Sequence, residues 1–187
     1  ALKTIDAIGG EASGRVLAGQ LAPESPIELT RYALHLLARD EGNAWRGVLR
    51  DDSFDPLLVA ALQNDSVKGD VLAFIQTVRR ASFIPTMVAV AKEESRPLSE
   101  RLRAMDVLDT LASRVRRRAS DQRVKDIAPL VNDENEDIQQ RALRIVSAFR
   151  NDASRDVMAA VMVDANRPKA LREQGAWFLS RSMHGST

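Results

Sequence analysis

A small residue followed by bulkier apolar residues one helical turn further on recurs along this chain, at Ala1, Ala33, Gly69, Ala104, Ala142 and Ala176. A recurrence every roughly 35 residues marks a supersecondary unit that cannot bury its apolar face alone and stacks on its neighbours. The clearest copy is NEDIQQRALRIVSAF, Asn135 to Phe149. At a helical period Ile138, Ala142, Ile145, Val146 and Phe149 share one face, and Gln140, Arg144 and Ser147 lie opposite. The LVND turn before it, Leu130 to Asp133, ends one helix and introduces the next, so the unit is a helical hairpin.

The remaining segments follow the same grammar. Ala1 to Gly10 reads as the end of a second helix whose start is missing, stopped by Gly9 or Gly10. Glu11 to Ala22 is a first helix with Val16, Leu17 and Leu21 expected inward. Ser25-Pro26-Ile27-Glu28 has the spacing of a capping box and opens a helix to about Arg39. Asn43 to Asp52 is an insertion carrying Trp45, Val48 and Leu49. Helices are then expected from Asp55 to Leu62, Val67 to about Arg80, and Phe83 to Glu94. A longer one runs from Pro97 to about Val115, with Leu98, Leu102, Met105, Leu108 and Leu111 inward. Asp121 to Val131 contains Pro129, which removes a helical donor and should kink it. Val157 to Ala165, opened by Asp152 or Ser154, and a helix from Pro168 to about Ser182 complete the order. No two-residue apolar alternation is sustained, so strands are not expected.

The LVNDENEDIQQRALRIV pattern, the small anchors, the proline-started helices and the kinking Pro129 together resemble HEAT-type repeats, over nearly the whole chain. The resemblance implies an all-α fold: a right-handed α-solenoid of antiparallel helix pairs, about five repeats plus a partial N-terminal helix. Residues 1–187 would form a single repeat domain, with 1–10 the remnant of a truncated repeat and 43–52 an insertion. A chain that opens inside a helix, without methionine, reads as a piece of a longer protein. The motif specifies architecture and leaves function open.

Composition removes whole classes of chemistry. There is no cysteine, hence no disulfide, thiolate nucleophile or cysteine-ligated metal. Aromatic residues are 4%, so the core is expected to be Ala-spaced and aliphatic. The 27 basic and 26 acidic residues balance to +1, so no field of the whole chain draws it to nucleic acid or anionic lipid. No apolar run has the length of a membrane span and no signal peptide is visible. No cofactor motif is present. His35 and His184 are the only histidines, too far apart in sequence to suggest a metal site.

Several residues remain as candidates, each against a structural reading. Asp106 with Asp109, and Glu93 with Glu94, have the look of acid–base pairs. For the aspartates, Arg101 and Arg103 nearby make surface ion pairs at helical spacing the better reading. The near-identical Arg79-Arg80-Ala81-Ser82 and Arg117-Arg118-Ala119-Ser120 resemble basophilic kinase sites, yet arginine at a helix end and serine at the next start produce the same string. The basic run Arg114 to Arg123 lacks aromatics for base stacking and reads as a solvated loop. Trp45 and Trp177 are candidates for partner contact, against packing. The polar face of the second helices is lined by Arg31, His35 and Arg39, then Lys68 and Gln76, then Arg103 and Asp106, then Gln140, Arg141 and Arg144, then Arg172 and Arg181, a column in which basic residues dominate and of which Arg31, His35, Arg39, Arg103, Asp106, Arg141 and Arg144 are the binding candidates. The expected function is therefore a non-enzymatic scaffold taking a carboxylate-bearing protein segment, or a neighbouring domain of the same longer chain. The alternative is a nucleic-acid-binding or DNA-glycosylase-like HEAT protein using the same arginines.

Overall fold

The computed structural model describes residues 10–39, 45–51, 53–115 and 121–183. The expected helix over 1–9, most of the basic run at 116–120, Ser120 of the second kinase-like string and His184 lie outside the described residues. Eleven α-helices and two 3₁₀ segments are described, with no strand among the described residues. The chain is all-α, as the period requires.

Two compact units divide it, Ala1–Ser82 and Phe83–Thr187. The first holds α1 (Gly10–Gly19), α2 (Ile27–Arg39), α3 (Arg46–Arg50), α4 (Phe54–Ala61) and α5 (Lys68–Val78). The second holds α6 (Ile84–Lys92), α7 (Leu98–Val115), α8 (Asp121–Ile127), α9 (Glu136–Ser147), α10 (Asp152–Val163) and α11 (Lys169–Met183). In the second unit, consecutive helices pair as α6–α7, α8–α9 and α10–α11. The first helices of the pairs touch in sequence, α6 to α8 to α10, and so do the second helices, α7 to α9 to α11. Stacked hairpins in two layers result. In the first unit α1 meets α4 and α2 meets α5 in the same way, and the short α3 packs on α1 and α4.

Local chemistry fixes the ends. Asn135 caps α9, its side-chain oxygen accepting from the N–H groups of Asp137 and Ile138, and Asn151 caps α10 by accepting from Ser154. The cap of α10 is thus Asn151, not the expected Asp152 or Ser154. Pro129 acts as expected of a residue without a donor: α8 stops at Ile127 and continues as a 3₁₀ segment, Ala128–Asn132. The turn that follows is clamped from both sides. Arg101 of α7 pairs with Asp133, both side chains buried, and Arg167 donates to the Val131 carbonyl at 2.6 Å and to the Asn132 side chain.

The structure also shows a longer period, the step from Pro26 to Pro97 to Pro168. Each of these prolines accepts, through its carbonyl, from the N–H groups three and four residues on, and so opens α2, α7 or α11. Arg79 and Arg150, one such step apart, are the non-glycine residues described with positive φ, at 51° and 54°. Arg96 and Arg167, again one step apart, each return Nε to an acidic residue three positions earlier, Glu93 and Asp164, at 2.5 and 3.1 Å. Two hairpins, not one, are the unit that repeats most faithfully.

That period corrects two anchors. The buried set Ala142, Leu143, Ile145 and Val146 of α9 has its counterpart in Val71, Leu72, Phe74 and Ile75 of α5, so Val71 stands at the anchor and Gly69 does not. In α11 the close contact is made by Gly175, where a Cβ would lie 3.2 Å from the Met158 carbonyl oxygen, and Ala176 beside it is half-buried. Two inward expectations fail as well. Val16 is 48% exposed, on the side of α1 away from the core, and Leu98 is exposed because it sits in the first turn after Pro97.

Candidate functional site

The second helices carry most of the column read from sequence, and the structure shows where its charges go. Between α2 and α5, Arg31 Nε lies 3.1 Å from Asp70 and its Nη2 donates to the Ser66 carbonyl at 2.8 Å. Between α7 and α9, Arg141 pairs with Asp106, and Arg144 Nη2 lies 3.2 Å from Asp109. Asp106 and Asp109 therefore face the arginines of the next second helix, and Arg101 of their own helix turns to Asp133. The reason is geometric: stacked second helices place side chains one hairpin apart opposite each other across the seam. His35, Arg39 and Arg103 are exposed. His35 lines a shallow depression of about 240 Å³ with Arg31, Asp70 and Thr77.

Trp45 is a core residue, 1% exposed, with its ring against Gly14 of α1. A partner-facing role for Trp45 is corrected on that ground.

The seam between α9 and α11 is built differently. An open groove of about 560 Å³ is lined by Ser147 to Arg150 from the end of α9 and by Trp177, Phe178, Arg181 and Ser182 from α11. Trp177 is 52% exposed. The Arg181 guanidinium carbon sits 4.8 Å over its ring, within reach of a cation–π attraction. Phe178 meets the same ring edge-on, centroids 5.0 Å apart. Arg150 projects from the turn after α9, held in the left-handed region where glycine is the usual residue. Among the described residues no carboxylate pairs with Arg150 or Arg181. Two forked donors beside an exposed aromatic wall can take a planar anion and the apolar group attached to it.

Trp177 is legible from sequence as a candidate, and Arg181 as a residue of the polar face. Sequence reasoning misses Arg150. Its signal is the match to Arg79 in the two-hairpin period, two arginines held at glycine-type positions at a conformational cost of about 1–3 kcal/mol each.

The displaced titrations lie elsewhere and have local causes. The backbone N–H of Ser53 holds the exposed Asp51 carboxyl below its usual range, and a side-chain hydrogen bond to Glu11 raises Arg15. Among the described residues no group of three or more acidic or histidine side chains is placed to hold a metal ion. No described helix is long and apolar enough to cross a membrane.

No family model matches the chain. No curated protein matches it either. Among solved structures it is similar to human deoxyhypusine hydroxylase, in a complex with glycerol, at 14% identity and a TM-score of 0.34. That match covers 98% of this chain and 88% of the other. A likeness at that score says nothing of what this chain does.

Proposed function

We propose that the chain is a non-enzymatic interaction module that receives an acidic protein segment in the groove between α9 and α11. One contrast carries the reading. The α2–α5 and α7–α9 seams hold arginines already opposed by aspartates, whereas the α9–α11 seam presents Arg150 and Arg181 without a carboxylate among the described residues, next to the half-exposed Trp177. The groove volume falls in the range of sites that bury a small ligand or a short stretch of side chains. An aspartate or glutamate would engage the two guanidinium groups, and a neighbouring apolar residue would cover the indole.

The two tryptophans make the test direct, because Trp45 is buried and Trp177 is not. Titrating a decapeptide of alternating glutamate and leucine should protect Trp177 from acrylamide quenching, and Trp177→Phe should abolish the change. A lysine-for-glutamate version of the peptide that protects Trp177 equally well would remove the charge-based reading. Protection by a single-stranded oligonucleotide, and not by the acidic peptide, would turn the site toward phosphate.

A further inference from the structure

The hairpins α6–α7 and α10–α11 are built on one pattern, one two-hairpin period apart, and differ in what covers them. In α7 the buried Arg101 donates from Nε to the Ala91 carbonyl at 2.7 Å and pairs with Asp133 of the α8–α9 turn. Its counterpart in α11 is Arg172. The Nε of Arg172 is buried and makes no hydrogen bond, and among the described residues no carboxylate reaches this side chain. The surrounding positions agree. Ala91, Met105 and Leu108 are fully buried, while their counterparts Met162, Ala176 and Leu179 keep part of their surface, and the neighbouring Val163 is 71% exposed.

The first hairpin, α1–α2, carries the complement. Glu24 precedes the buried Ala33 at the same spacing that Asp133 keeps before Ala142. It is exposed and has no partner among the described residues. The same hairpin exposes Val16 and Leu29, although Met87, the counterpart of Val16, is fully buried; the exposure of Ile27 matches that of its counterpart Leu98, each in the first turn after a proline.

We propose that copies of this chain associate head to tail, α1–α2 of one copy seated on α10–α11 of the next. Glu24 takes against Arg172 the place that Asp133 takes against Arg101, and the exposed aliphatic residues of the two hairpins cover each other. The occupant is a second copy because both halves of the contact, charge and apolar surface, are present on this chain in the register that already stacks its own hairpins. Such a contact is heterologous, so it closes into a ring or runs on as a filament. It shares Trp177 with the groove, since Trp177 is the counterpart of Asp106, which faces the next second helix, and sedimentation of the chain without peptide tests it apart from peptide binding.

Sedimentation velocity of the full chain at rising concentration tests it. The average mass should climb above the 20.6 kDa of one chain. Arg172→Glu and Glu24→Arg should each weaken association by about tenfold or more, because each sets like charges opposite. An equimolar mixture of the two variants restores opposite charges at the contact and should associate as the wild type does. Glu24 is exposed, so Glu24→Arg leaves folding intact even if Arg172→Glu does not. A wild type that stays at one chain throughout, an association blind to both changes, or a mixture that fails to recover would each overturn the proposal.

Discussion

What stands opposite a glycine decides what an added methyl does, and three positions separate the effects. At Gly14 an added Cβ would lie 2.8 and 2.9 Å from ring atoms of Trp45, a buried and rigid neighbour. Gly14→Ala should therefore lose stability: overpacking costs about 1–3 kcal/mol, more than the gain in helix propensity of up to about 1 kcal/mol. At Gly19, which closes α1, nothing lies within 4 Å, so Gly19→Ala should gain about 0.4–1 kcal/mol through the unfolded state. Urea denaturation of the two variants checks both signs, and a loss at Gly19 would mean that its backbone is strained. Gly175 lies between them, with the Met158 carbonyl 3.2 Å from the added carbon. None of this was readable from sequence, because Trp45 sits in an insertion and its packing partner Gly14 belongs to α1, with the whole of α2 between them in the chain.

Helices were the most legible level. The face of α9 follows from its apolar spacing: Ile138, Ala142, Ile145, Val146 and Phe149 are all buried, and Leu143 widens the stripe. Ala142→Leu should accordingly destabilise by about 1–3 kcal/mol, since Ala142 is fully buried in a close-packed helix face. Ala148→Leu, at a half-buried position in the turn after α9, should cost less. Equal thermal midpoints would contradict the face assignment. Periodicity was weaker where a helix meets several neighbours or begins at a proline. Val16 and Leu98 are apolar at helical spacing yet exposed, because local spacing reports amphipathicity and not which neighbour arrives to cover it. The same limit explains the aspartates of α7, whose partners Arg141 and Arg144 lie on the next second helix.

Across the whole molecule the sequence carried the all-α class and the hairpin period, but not the larger unit of two hairpins, which emerges when Pro97 and Pro168, Arg79 and Arg150, and Arg101 and Arg172 are matched in structure. Nor did it show that Arg31, Arg141 and Arg144 are spent on pairing neighbouring second helices. Arg150 and Arg181 line the α9–α11 groove without a carboxylate partner among the described residues. The decisive measurement is the affinity of a fluorescent glutamate–leucine peptide, by anisotropy, for the wild type and for the Arg150→Gly, Arg181→Glu double variant. Thermal midpoints are recorded alongside. Glycine suits the left-handed turn at position 150, and exposed charges contribute under about 1 kcal/mol to stability. An unchanged or slightly raised midpoint is therefore expected, with at least about tenfold weaker binding and a wild-type affinity that falls as salt is added. A double variant that folds normally and binds the peptide as tightly as the wild type would contradict it.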